Sequence, residues 1–207
     1  IDTEVRMFAG LNYDSSIESS TSGWATGTPI DPVPSNSLYQ IYSEPGAFVV
    51  DGTLYVAMTG NYCLEGQTYG DIILVKSTNW GASWSYIGIL LTAGHAQAID
   101  ADWAYYTASS MHRDPSDNTI RLIVTGMQYD SSGSRYQGIV EYAFSNIATG
   151  ALVSVGGVPA PIAYEPKESG VFTGAGTYNI STGKHVISRL CITTGCTVPF
   201  TEWELSW

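Results

Sequence analysis

Asp51-Gly52-Thr53-Leu54-Tyr55-Val56-Ala57-Met58-Thr59-Gly60 aligns without gaps on Asp117-Asn118-Thr119-Ile120-Arg121-Leu122-Ile123-Val124-Thr125-Gly126, about 66 residues later. Asp, Thr, Thr and Gly coincide, and aliphatic residues fall together between them. A looser third copy, Thr182-Gly183-Lys184-His185-Val186-Ile187-Ser188-Arg189-Leu190, follows after about 65 more. Each copy reads as a tight Asp/Gly or Asn-type turn leading into a strand, which is hairpin chemistry. A fixed period of this length is the mark of a repeat architecture.

Outward from that phrase the modules stay in phase. Asp71–Ser77, Gln137–Ser145 and Phe200–Ser206 are third-strand candidates, all ending in Ser. Upstream, Glu44-Pro45-Gly46-Ala47-Phe48 matches Glu168-Ser169-Gly170-Val171-Phe172, each placed ahead of a predicted first strand. Helical periodicity is almost absent, whereas short β-branched and aromatic runs between Gly, Asn, Asp and Ser are frequent. Four-stranded modules repeated radially make a β-propeller. The alternative is a β-sandwich, which does not require one phrase to recur at equal spacing.

The expected fold is therefore all-β: one domain over 1–207, built of four-stranded antiparallel blades at about 45–91, 105–157 and 170–207. The last span holds three strands, and strand-like stretches at 4–11 and 38–42 are expected to complete a blade. Closed propellers use roughly 4–8 blades, so about three blades plus a partial one leave open edges. Three arrangements satisfy this: a piece of a longer propeller, a homodimer of two half-rings, or a compact four-bladed ring.

Composition narrows the partners. The 207 residues are 44% hydrophobic and only 13% charged, with 22 Gly, 14 Tyr and 6 Trp. The net charge of −11 repels phosphate backbones and anionic membranes. No apolar run approaches the roughly 18 residues of a membrane-spanning helix, so neither nucleic acid nor membrane insertion is expected. A Tyr/Ser/Thr/Asn-rich β chain that opens at Ile1 suits an extracellular or periplasmic protein whose export signal has been removed, or an excised fragment. Cys191 and Cys196 can close a small disulfide loop, leaving Cys63 over; three ordinary thiols are the alternative. No Cys/His cluster has zinc spacing, and no cofactor is expected. Calcium held by Asp and backbone oxygens stays open, without EF-hand spacing to support it.

The turn Ser77-Thr78-Asn79-Trp80-Gly81-Ala82-Ser83-Trp84 resembles the Asp-box (BNR repeat) Ser-x-Asp-x-Gly-x-Thr-Trp of the sialidase-like propeller superfamily, with Asn79 for Asp and Ser83 for Thr. Ser43–Tyr55 resembles the Glu-Pro-x-(apolar)-Asp-Gly-x-Leu segment of the same blades. The resemblance implies a six-bladed ring, a structural role for Ser77, Asn79, Gly81 and Trp84, and for Glu44 a place beside a nucleophilic Tyr. The family's Arg-Ile-Pro signature is missing. Arg6, Arg113, Arg121, Arg135 and Arg189, every arginine in the chain, compose no triad.

Acids that head first strands converge on one axis in a propeller. Glu44, Asp102 and Glu168 are accordingly the candidate catalytic residues, with Asp100 and Glu165 as alternates to the last two. Paired carboxylates hydrolyse glycosides, retaining at about 5–5.5 Å and inverting at roughly 6.5–9.5 Å. The alternative is that these acids merely form turns. The longest linker, Thr92–Trp103, brings His95, Asp100, Asp102 and Trp103 together. Trp103 and Tyr106 are candidates for a sugar-stacking platform, with His95 and Arg113 beside them; packing under the loop is the competing reading for Trp103. Two functions follow. One is a secreted glycoside hydrolase-like propeller taking a glycan at its channel. The other is a non-catalytic lectin-like or protein-interaction module.

Overall fold

The computed structural model describes residues 6–7, 28–30, 39, 41–64, 67–130, 133–165, 171–179, 184–191 and 200–205. Three antiparallel sheets carry the chain. The first comprises β3 (Ile41–Val50), β4 (Thr53–Leu64), β5 (Gln67–Ser77) and β6 (Ser85–Leu91), paired in that order. The second runs β7 (Trp103–Arg113), β8 (Ile120–Asp130), β9 (Gly133–Asn146). Its outer edge is shared by β10 (Ala151–Leu152) and β13 (Ala163–Glu165), both pairing β9. Between these two a small hairpin, β11 (Ser154–Val155) and β12 (Val158–Pro159), turns on Gly156 and Gly157 at φ 63° and 83°. The third sheet is β14 (Val171–Asn179), β15 (Lys184–Cys191) and β16 (Phe200–Leu205).

The repeated phrase folds as its chemistry requires. Asp51 and Gly52, at φ 47° and 76°, form the two-residue turn between β3 and β4; successive positive φ values suit the right-handed twist of a hairpin. In the second copy Asn118 takes φ 60°, at the end of a longer connection over 114–119. The first strands stand side by side, β3 against β7 and β7 against β14. Between the first two sheets Tyr55, Ala57, Ile72, Leu74 and Leu91 meet Trp103, Tyr106, Met111, Leu122, Val124 and Tyr142 in one buried core. Sheets stacked face to face around neighbouring first strands are propeller blades.

Three expectations are corrected. Ile41 and Tyr42 do not complete another blade: they run directly into β3, because Glu44-Pro45-Gly46 is a bulge inside the strand rather than its entrance. In 4–11, the described Arg6–Met7 (β1) pairs with Thr28–Pro29 (β2) in a separate two-stranded sheet. Part of the linker is helical, as α1 (Ala93–Ile99), capped by the Thr92 hydroxyl that accepts from the His95 N–H at 3.2 Å. A seven-residue helix anchored by buried Ala93 and Ala96 is too short for an apolar period to be read.

Candidate functional site

Every first strand carries the same irregularity. The ladder skips from Ser43/Thr59 to Gly46/Ala57 in β3, from Thr107/Thr125 to Ser110/Ile123 in β7, and from Thr173/Arg189 to Gly176/Ile187 in β14. Two residues in each strand are thus unpaired: Glu44-Pro45, Ala108-Ser109 and Gly174-Ala175. The bulges share one level of the repeat, on the first strands that stand side by side. Pro45 fits there because a bulge position makes no use of the N–H that proline lacks.

Glu44 is the one acid in this row of six residues. Its φ of 53° lies in the left-handed region, uncommon for a residue with a Cβ. It is half-buried, and the second blade holds its backbone. The Ser109 hydroxyl, from β7, donates between the Ala57 carbonyl at 2.8 Å and the Glu44 carbonyl at 3.1 Å. Gly46 allows the close approach, since a Cβ there would lie 2.5 Å from the Ser109 oxygen and 2.6 Å from the Ser110 Cα. Around the bulge Thr59 of the first blade faces Thr107 of the second at 3.4 Å in a buried contact, and within the first blade the Asn61 amide donates to the Ser43 hydroxyl at 3.0 Å. Bulges of this kind re-aim a side chain next to functional sites.

The structure does not bring Asp102 to Glu44. The counterpart of Glu44 on β7 is Ala108, whereas Asp102 lies before β7 begins, on the order of 20 Å earlier at about 3.3 Å per residue. It is exposed, in a turn where its N–H donates to Asp100 Oδ1 at 3.0 Å. Glu168 lies outside the described residues, as does Cys196. The register also revises the alignment behind Glu168, since Gly174 is the residue in phase with Glu44. Glu165 pairs with Ile139 at the outer edge of the second sheet, far from a first-strand entrance. Cys63 presents an exposed thiol on β4, and Cys191 closes β15.

The proposed sugar platform is core. Trp103 and Tyr106 are 1% and 0% exposed and meet edge-to-face at 6.1 Å, so neither can stack on a ligand. His95 joins them from α1: its Nδ1 lies 3.0 Å from the Tyr106 hydroxyl and its Nε2 2.9 Å from the Pro159 carbonyl. A carbonyl can only accept, so Nε2 carries the proton and Nδ1 accepts from tyrosine. Tyr106 and Tyr142 share a hydrogen bond at 2.8 Å, and burial raises the Tyr142 hydroxyl above its ordinary pKa. The network ties α1 to the second sheet and to its excursion at β12. Arg113 closes the turn after β7, donating to the Asn118 carbonyl at 3.2 Å and side-chain oxygen at 2.8 Å. Its role is that of a turn clamp.

The Ser77–Trp84 turn has the hydrogen bonds its residues suggest. Ser77 Oγ accepts from the Asn79 and Gly81 N–H groups, at 3.3 and 2.8 Å, and donates to Asn79 Oδ1 at 2.9 Å. Asn79 Oδ1 accepts in turn from the Ser83 N–H at 2.9 Å, Gly81 takes φ 86°, and Trp84 packs on the outer-face core of the first sheet.

Sequence reasoning missed three buried acids, Asp71, Asp114 and Glu141. Asp71 on β5 accepts from the Tyr39 hydroxyl at 2.8 Å and the Ala93 N–H at 3.0 Å. Burial raises its pKa, and those two bonds oppose the rise. Glu141 on β9 is 2% exposed, and burial lifts its carboxyl to about 7 against the lowering pull of Arg121. His112 Nε2 lies 3.5 Å from it. Burial alone would raise Asp114 too, but bonds from Ser116 and Arg121 outweigh it and hold that carboxyl at about 2. An acid inside an otherwise apolar third-strand phrase, as in Ile139-Val140-Glu141-Tyr142, was the available signal. Among the described residues no group of three or more His, Cys, Asp or Glu is arranged to hold a metal ion.

No family model matches the sequence, and neither does any curated protein. Solved structures do resemble it. Zg3597, a family 117 glycoside hydrolase produced by the marine bacterium Zobellia galactanivorans, superposes with a TM-score of 0.50 at 10% identity, over 86% of this chain and 51% of that one. The Hadza microbial sialidase Hz136 gives 0.49 at 15% identity, over 73% and 32%. The GH43_1 enzyme from Xanthomonas citri complexed with xylotriose gives 0.44 at 20%, over 73% and 39%. The chain spans about a third to a half of the length of these proteins. At such identities the likeness is one of fold.

Proposed function

We propose that this chain is part of a secreted, carbohydrate-active β-propeller that takes a glycan at its central channel, with Glu44 as the channel's acid. The observation that carries the reading is the left-handed φ of Glu44 in a bulge whose two counterparts are Ala108 and Gly174. The fold supplies the bulge three times and sets a carboxylate in it once. Strained non-glycine residues gather at functional sites. A glycosidase requires a second carboxyl within about 10 Å. Glu168 stands six residues ahead of Gly174 in sequence, the same offset that separates Asp102 from Ala108, so further blades are the source of the second carboxyl. The Ser77–Trp84 turn is read as a variant Asp-box with a structural role. The ring is completed by the rest of a longer protein or by a second copy of this chain. Gel filtration at micromolar concentration distinguishes these, since a strict monomer sinks the paired half-ring.

The test is the set Glu44→Gln, Asp102→Asn and Glu168→Gln on a panel of aryl glycosides and a glycan array. Hydrolysis lost in Glu44→Gln and kept in Asp102→Asn is expected. Wild-type inactivity, with glycan binding retained by all three variants, establishes the second reading, a lectin-like or protein-interaction module. The six-residue offset of Asp102 from Ala108 argues against a catalytic pair made of Glu44 and Asp102.

A further inference from the structure

The turn between β5 and β6 spends stability on one residue that the fold does not use. Trp80 and Gly81 have successive positive φ values of 55° and 86°, and the Ala82 N–H reaches the Asn79 carbonyl at 3.2 Å. Asn or Gly suits the first of these positions, whereas a bulky side chain is disfavoured there. Trp80 gains little packing in return, for it is 63% exposed. Among the described residues the other exposed large hydrophobics are all Val or Ile. The turn beneath it is rigid: Ser77, Asn79 and Ser83 are cross-linked by the bonds described above, and Asn79 Nδ2 donates to Ser83 Oγ at 2.9 Å. A flat aromatic ring is thus held out on a fixed mount.

The surroundings decide the occupant. Thr78, Asn79, Ala82, Ser83 and Ser85 are small and exposed, and no charged residue occurs from Ser77 to Leu91. A protein partner requires an apolar interface centre contributed by many residues, which this corner lacks. An anionic membrane requires cations, and the corner has none beyond Lys76 at its edge. A neutral sugar requires one ring face to stack on and a few hydroxyl or amide groups beside it. We infer that Trp80 is the platform of a binding site for neutral glycans at the outer corner of the first blade. Asn79 and Ser83 flank it, and the site is separate from the channel at Glu44.

Affinity electrophoresis through gels containing arabinoxylan, β-glucan or galactomannan tests the site, with the intact chain and its Trp80→Gly, Trp80→Ala, Trp80→Tyr and Glu44→Gln variants. Wild type and Glu44→Gln are expected to be retarded by at least one polysaccharide. Trp80→Gly and Trp80→Ala should lose affinity tenfold or more, as truncated aromatic anchors do, and Trp80→Tyr should retain most of it. Thermal denaturation guards against misfolding: Trp80→Gly should melt no lower than wild type, because glycine suits the turn. Retardation kept by Trp80→Gly but lost by Glu44→Gln assigns the binding to the channel and overturns the proposal. So does a wild type that none of the three gels retards.

Discussion

Strain at Glu44 has a measurable sign. Glu44→Gly and Glu44→Ala both remove the carboxylate and every contact it makes, so the difference between them isolates the backbone. At an ordinary strand position glycine is the less stable of the two by roughly 0.5–1 kcal/mol, because its unfolded chain is freer. At φ 53° the alanine Cβ meets the left-handed penalty of roughly 1–2 kcal/mol, which glycine escapes. The two effects oppose, and the balance favours Glu44→Gly over Glu44→Ala by about 0.5–1 kcal/mol. For a domain of this length that is a melting temperature higher by about 1–4 °C. Urea denaturation with equal m-values and a calorimetric scan measure it. Glu44→Gln keeps the strain and should melt with wild type when its lost charge is unimportant to the fold. A Glu44→Gly variant less stable than Glu44→Ala would show that the bulge is unstrained, and the argument from its residue would fall.

Gly46→Ala should destabilise by about 2 kcal/mol or more, because the new Cβ meets backbone atoms of Ser109 and Ser110 that cannot yield; urea unfolding reads it. Glu141 gives the pH test. Its folded pKa of about 7 lies above the ordinary 4.5, so between those values the folded chain holds a proton that the unfolded chain releases. Its contribution is most favourable below about pH 4.5 and is lost as pH rises to 7. Glu141→Gln should therefore flatten the melting temperature from pH 5 to 7 and gain up to roughly 3 kcal/mol at pH 8. An unchanged profile would place the titration elsewhere. Gly126→Ala should unfold cooperatively at lower temperature, since its Cβ would enter the Trp103 ring.

The architecture was legible because its signal is redundant. Asp51-Gly52 and Asp117-Asn118 both announce a turn, and a phrase repeated twice survives local noise. The site was less legible, for reasons seen residue by residue. Glu44-Pro45-Gly46 reads as a strand entrance because Pro breaks ladders; only pairing partners on β4 show that the strand continues past it. Trp103 and Tyr106 lie beside a polar linker, which suggested a binding platform. Their burial depends on a short helix without a period and on Tyr142, far away in sequence. Glu141 is invisible locally because its raised pKa follows from being covered, and covering is a tertiary property.

The three matching bulges carry a consequence for how such a protein changes. Since the kink recurs at Ala108 and Gly174 as it does at Glu44, bending the strand does not depend on the carboxylate set into it. The shape of the strand is thereby independent of the side chain placed at this point. The same scaffold can exchange one side chain for another at that socket, or carry it on a neighbouring blade, while the wedge around it keeps its shape.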